Sequence, residues 1–163
     1  MSVTRRITPF LWFDNQAEDA ANFYCSIFKN SKLGQIVRYG DVGPGPKGQV
    51  MIINFELDGQ DFTALNGGPR FKFDEAISFV VHCETQEEID YYWDKLTADG
   101  GAPSMCGWLK DKFGLSWQVV PTMIGELMSG DAEKSGRVMQ AVMQMQKLDL
   151  QKMKDAYAGN ETR

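Results

Sequence analysis

Four side chains in this 163-residue chain have the types that do chemistry unaided: His82, the single histidine, and the thiols Cys25, Cys83 and Cys106. An imidazole becomes a base or a metal ligand when carboxylates or further imidazoles gather round it. His82 ends an apolar run and alternates onto one face with Ser78 and Val80, so it reads as a surface residue at a strand end. A nucleophilic thiol needs a cation or a helix N-terminus to favour the thiolate. Lys110 follows Cys106 closely enough in sequence to supply a cation, but nothing in the spacing establishes contact, and Cys106 reads as inert. Cys25 falls on a helix and Cys83 at a strand end, both structural positions.

Two other patterns invite a chemical reading. Asp41-Val42-Gly43-Pro44-Gly45-Pro46-Lys47-Gly48 is rich in glycine, yet it lacks the Gly-Lys-Ser/Thr order of a phosphate loop and precedes a strand rather than a helix. It reads as a rim loop whose Lys47 could weakly steer an anion. The acidic pairs Glu18-Asp19 and Glu87-Glu88 sit at helix starts, where the positive end of the helix dipole accounts for them.

These residues must be positioned by something with a core. A 43% hydrophobic and 24% charged composition is that of a globular domain. The net charge of -5 argues against a nucleic-acid backbone as partner, since that needs clustered Lys and Arg. There is no apolar run of membrane-spanning length, no signal-peptide core near the start, and an odd, sparse set of cysteines. The expectation is a cytoplasmic protein with reduced thiols that engages neither nucleic acid nor membrane. The sequon Asn160-Glu161-Thr162 carries no meaning in such a setting.

The pattern predicts a strand over 7–13, a helix over 16–28 capped by Asn15 or Asp14, a strand over 33–39, and a hairpin of 50–57 and 60–66 around Asp58-Gly59. The order then recurs. A strand is predicted over 76–83 and a helix over 86–99, with Thr85 as N-cap and Glu88 completing a capping box. Short strands follow at 103–105, 108–111 and 115–120. An offset of 69 aligns Phe10 with Phe79, Glu18 with Glu87, Phe23 with Tyr92, Tyr24 with Trp93 and Ile27 with Leu96, the signature of a duplicated unit. A tail of two helices, capped by Asp131 and Asp149, carries Val138, Met139, Val142 and Met143, then Leu150, Met153 and Tyr157. Such a stripe must be buried on its own domain or on a partner chain.

Three stretches carry a family resemblance: Ala64-Leu65-Asn66-Gly67-Gly68-Pro69, Ile77-Ser78-Phe79-Val80-Val81, and the run from Cys106-Gly107-Trp108 to Gln118-Val119-Val120-Pro121. With Thr8-Pro9-Phe10-Leu11-Trp12-Phe13 and Arg137-Val138-Met139-Gln140-Ala141-Val142-Met143, they make the chain resemble PhnB-like proteins, also labelled 3-demethylubiquinone-9 3-methyltransferase-like, of the glyoxalase/bleomycin-resistance/dioxygenase (vicinal-oxygen-chelate) superfamily. The resemblance implies an α+β fold of two βαβββ modules forming a half-open mixed-sheet barrel around a ligand cavity, completed across a homodimer. It divides the chain into a paired-module domain over 1–125, with modules at 5–67 and 75–121, and a helical tail over 126–163.

Metal-using members of that superfamily place one His, Gln or Glu inward from the first and last strand of each module. Carried over, the positions here are Thr8 or Pro9, Asn66, Ser78 and Gln118. None is His, Asp or Glu, and neutral oxygens hold zinc, nickel or iron weakly. The expectation is therefore no cofactor, with a divalent metal as the lesser alternative. The same groups can instead hydrogen-bond a small organic ligand in an aromatic cavity. Candidate binding residues are Thr8, Phe10, Trp12, Asn66, Ser78, Trp108 and Gln118, with Phe71, Phe79 and Trp117 as further walls. Strand alternation puts Ser116, Gln118 and Val120 on one face and Trp117 on the other, which favours Gln118 as the inward residue. The alternative is a metal-dependent lyase, isomerase or dioxygenase of the same fold, using His82 with Glu56 or Glu84. A third is a dimeric interaction module whose cavity is filled by its own side chains. The methyltransferase label lacks support, because the junction Phe13-Asp14-Asn15-Gln16-Ala17 has no glycine for a nucleotide-type cofactor.

Overall fold

The structure, a computed structural model, describes residues 5–160. Glu161 and Thr162 of the sequon lie outside the described residues. The chain divides into two compact units, the first ending at Phe73 and the second beginning at Asp74.

The first unit carries strands β1 (Phe10–Phe13), β2 (Lys32–Arg38), β3 (Val50–Leu57) and β4 (Gln60–Asn66), with helix α1 (Ala17–Ile27) after β1. The sheet order is β1-β4-β3-β2. β1 runs parallel to β4 and the other neighbours are antiparallel. The β3–β4 hairpin turns at Asp58 and Gly59, both at positive φ (47° and 79°), as the Asp-Gly pair requires. Ala17, Ala20, Ala21, Tyr24 and Ile27 form the buried face of α1. It packs on β3 and β4 over Ile53, Phe55, Phe62 and Ala64, and Leu11 and Phe13 of β1 are buried with them.

The second unit repeats this plan. It has β5 (Ser78–Cys83), α2 (Gln86–Thr97), β6 (Ala102–Pro103), β7 (Trp108–Lys110) and β8 (Ser116–Pro121), in sheet order β5-β8-β7-β6. Again the first strand is parallel to the last, and the rest are antiparallel. Thr85 caps α2 through a bond its Oγ1 accepts from Glu88 N at 3.2 Å. The Glu88 carboxylate reaches back to Glu84 N, one residue earlier than the standard capping box. The spacing predicts Ile89, Tyr92, Trp93 and Leu96 on one face; Ile89, Trp93 and Leu96 turn inward, and Tyr92 at its edge is only half-buried.

Beyond β8 come α3 (Ile124–Leu127), α4 (Ala132–Val142) and α5 (Leu150–Ala158), with Asp131 and Asp149 capping the last two. The tail stripe is buried within its own unit. Val138, Val142, Leu148 and Met153 form one core cluster with Leu127 and Val120 of β8. Met139 and Met143, counted in the same stripe from sequence, stay exposed.

The repeat holds, but its register needs one correction. Helix positions superpose at an offset of 69: Ala20 with Ile89, Tyr24 with Trp93, Ile27 with Leu96, all buried. The strands do not. Leu11 and Phe13 face α1, and their counterparts facing α2 are Val81 and Cys83, an offset of 70. The cause is the link between strand and helix. Asp14, Asn15 and Gln16 join β1 to α1, whereas Glu84 and Thr85 alone join β5 to α2. One residue of slip reverses every side chain on a strand. Phe10 therefore lies on the sheet face away from α1, 56% exposed, while Phe79 lies under α2 against Trp117, with ring centroids 5.6 Å apart.

Candidate functional site

Each sheet has one face covered by its helix and one open face, and side chains that could meet a ligand must stand on the open one. In the second unit the strand pairings set Ser78 beside Ser116, Val80 beside Gln118, Gln118 beside Trp108, and Ser116 beside Lys110. Alternation puts these residues on the face away from α2. There Gln118 Nε2 donates to Ser78 Oγ at 2.9 Å. Two candidates 40 residues apart are thus joined. Trp117 is turned the other way and is only 3% exposed, so it and Phe79 are core residues rather than walls of this face.

A cleft of about 380 Å³ is lined by the strand neighbours of this pair, Ser116 and Trp108, with Glu75, Met105, Cys106 and Lys110, and not by Ser78 or Gln118 themselves. Lys110 forms an ion pair with Glu75 at the cleft wall. The hydrogen bond from Lys110 is the main reason the Glu75 carboxyl sits below its ordinary range. The Ser116 hydroxyl is buried and has no hydrogen-bond partner. A buried hydroxyl left in this state costs about 1–3 kcal/mol. Cys106 also lines the cleft, held at φ 62° in a turn whose N–H groups donate to the tail: Cys106 N to Met145 O and Gly107 N to Gln146 O, both at 2.8 Å. Lys110, which sequence proximity allowed as a cation for Cys106, is instead paired with Glu75. His82 stands exposed near the end of β5. Burial raises the Cys25 thiol, and it pushes Cys83 up to about 12, helped by the negative charge of Glu88. Both are poor nucleophiles.

A second hollow of about 430 Å³ lies between α2 and the tail. Its polar groups satisfy one another: Gln86 donates to Asp90 Oδ1 and Leu148 O and accepts from Leu150 N, and Lys147 pairs with Asp90 at 2.9 Å.

In the first unit the structure corrects the placement of Asn66. Its side chain lies on the helix-facing side of β4 and is 9% exposed. Oδ1 accepts from Ala17 N at 2.8 Å and Nδ2 donates to Val50 O at 2.9 Å, while the Tyr39 hydroxyl donates to the Asn66 carbonyl at 2.6 Å. Asn66 thus caps α1 from across the sheet. The expected caps are not used, and Gln16 in the N-cap position offers no side-chain bond. The residue of β4 matching Gln118 is Thr63, since Ala64 pairs with Leu11 as Val119 pairs with Val81. The Thr63 hydroxyl donates to Asn54 Oδ1 at 2.9 Å on the open face. By the same register Thr8, which is exposed, matches Ser78.

Trp12 shares the open face of the first unit with Phe10. Its indole N–H donates to Gly68 O at 2.9 Å and its ring meets Phe71 edge-on, centroids 4.9 Å apart. Gly67 is required beneath it, because a Cβ there would come within 2.4 Å of the indole. Part of the 64–69 motif is explained by seating this ring.

With the geometry in place, comparison with known proteins decides the family. The model described as 3-demethylubiquinone-9 3-methyltransferase matches residues 5–120. The chain belongs to that family. It is 41% identical to a Bacillus cereus PhnB protein given the same description, over 72% of this chain and 100% of that one, with a TM-score of 0.66. Two further structures are alike in fold alone. The protein PA1353 from Pseudomonas aeruginosa is 19% identical over 72% of this chain and 98% of its own, at a TM-score of 0.59. The fosfomycin resistance protein FosX of Listeria monocytogenes is 14% identical over 78% and 99%, at 0.54. None of the curated proteins matches the chain. The family model and the Bacillus cereus relative together make the chain PhnB-like. The tail helices α4 and α5 lie beyond the residues the family model matches.

The family's two implied groups can be tested against the side chains. A nucleotide-type methyl donor needs free N–H groups and a glycine turn at the first helix, and here Asn66 already occupies the α1 N-terminus. A tightly held zinc, nickel or iron, which the resemblance implies for metal-using members, needs anionic or imidazole donors among its ligands. The corrected register offers Thr8, Thr63, Ser78 and Gln118, all neutral. Among the described residues no three of His, Cys, Asp and Glu gather as a metal site. Neither group fits the residues present. Among the described residues no helix is long and apolar enough to cross a membrane.

Proposed function

We propose that this PhnB-like protein binds a small organic molecule on the open face of its second unit, without a metal, and does so as a cytoplasmic homodimer. The observation that carries the reading is the Gln118–Ser78 hydrogen bond beside Trp108 and a buried, partnerless Ser116 hydroxyl. Neutral groups of this kind orient a ligand by hydrogen bonds, and the Trp108 ring supplies apolar area. Thr8, Phe10, Trp12 and Thr63 give the first unit a related polar and aromatic open face. Asn66 has no part in it, because its side chain is satisfied elsewhere.

The test is ligand titration followed by tryptophan fluorescence, in wild type and in Gln118→Leu. That substitution removes the partner of Ser78, and binding weakens about tenfold for one lost hydrogen bond of about 1.5 kcal/mol. Elemental analysis of the dialysed protein accompanies it. A stoichiometric zinc, nickel or iron, lost in His82→Ala, would overturn the reading in favour of a metal-dependent lyase, isomerase or dioxygenase.

A further inference from the structure

We propose that the cleft of the second unit selects ligands with an anionic oxygen group on an aromatic body, and that Glu75 holds the place of that anion until the ligand displaces it. This rests on the small-molecule reading above and names the class of molecule. Two independent observations meet in the cleft. The first is the Lys110–Glu75 pair. Both side chains are substantially exposed, at 42% and 59%, so the pair is open to competition. An exposed ion pair of this kind is weak. The second is Ser116, whose hydroxyl is 1% exposed, lacks a partner and lines the same cleft on the strand position paired with Lys110. Buried polar atoms are nearly always hydrogen-bonded, so an orphan hydroxyl on a residue that lines a cleft marks a missing acceptor or donor.

Lys110 and Ser116 hold paired positions on β7 and β8 and line one cleft, so a single anionic oxygen group of the ligand is assigned to serve both. Trp108 and Met105 flank the cleft and favour a flat apolar body over a sugar or a polyol. The carboxylate of Glu75 offers Lys110 the chemistry the ligand would bring, and it leaves Ser116 unserved. Displacement therefore gains one hydrogen bond for the ligand that Glu75 does not make.

The experiment titrates benzoate, phenylphosphonate and benzyl alcohol against the full chain, read by tryptophan fluorescence and calorimetry. At least one of the two anions binds more tightly than benzyl alcohol. Glu75→Gln removes the competitor and tightens anion binding about two- to fivefold, as the strength of an exposed pair dictates. Lys110→Met weakens it about tenfold or more, and neither change alters benzyl alcohol. Ser116→Ala weakens anion binding while leaving the melting temperature unchanged or higher, which a structural hydroxyl would not do. Benzyl alcohol binding as well as both anions, with Lys110→Met and Glu75→Gln silent, overturns the anion proposal and leaves the small-molecule reading standing. If none of the three probes binds, the anion proposal fails; if a probe binds and Gln118→Leu leaves its affinity unchanged, the small-molecule reading at Gln118 fails.

Discussion

Replacing Asn66 with alanine separates a structural role from a ligand-binding one. The side chain serves two buried backbone groups, the Ala17 N–H at 2.8 Å and the Val50 carbonyl at 2.9 Å. The amide orientation is dictated by these partners, since an N–H can only donate and a carbonyl only accept. Ala17 is 0% and Val50 7% exposed, so water does not readily replace the lost bonds. Each orphaned group costs about 1–3 kcal/mol, and relaxation recovers part of it, giving a loss of about 3 kcal/mol. For a chain of this size that lowers the melting temperature by about 6–12 °C. Asn66→Asp is the informative companion. It keeps an acceptor for Ala17 N and adds negative charge at a helix N-terminus, but turns an oxygen toward the Val50 carbonyl, so its loss is intermediate. Circular dichroism melts measure the stability. Aromatic ligand titrations well below the transition measure the second-unit cleft, and affinity there stays unchanged. An Asn66→Ala protein that melts within about 1 °C of wild type and no longer binds ligand would refute the register on which the site assignment rests.

Three further outcomes follow from two buried groups outside the cleft. Asp111 is 2% exposed and accepts from Phe113 N, Leu115 N and Trp117 Nε1 at 2.9, 3.1 and 2.8 Å; Asp111→Ala removes the acceptor these three donors share and lowers stability by about 3–5 kcal/mol in urea unfolding, with altered near-ultraviolet signal from Trp117. Burial lifts the Cys83 pKa from 9.0 to about 12; the stability this gives is full below the unfolded value and fades as pH rises from about 9 towards 12, so Cys83→Ala flattens the alkaline limb of the pH–stability curve. In native protein at pH near 8, iodoacetamide labelling mapped by mass spectrometry finds Cys83 the last thiol to react, a difference that denaturant abolishes.

Much of this architecture was legible before any coordinates. Helix faces such as Ile89, Trp93 and Leu96, caps at Thr85, Asp131 and Asp149, and the Asp58-Gly59 turn depend on residues within a few positions of one another, so local spacing is enough to reveal them. The polar side of β8, with Ser116 and Gln118, was readable from alternation alone. The face of β1 was not. Phe10, Leu11, Trp12 and Phe13 are all apolar, so alternation carries no signal there, and a count from the aligned helices misses the extra residue in the link. The same slip misplaced Asn66 and hid Thr63. A warning existed in the spacing, since Phe13 to Ala17 is one step longer than Cys83 to Gln86, but its consequence depends on which side of the sheet each helix covers. Helix caps 49 residues distant, the Lys110–Glu75 pairing and the lone Ser116 hydroxyl were decided only in the folded chain, because each is set by groups far apart in sequence meeting where water is scarce.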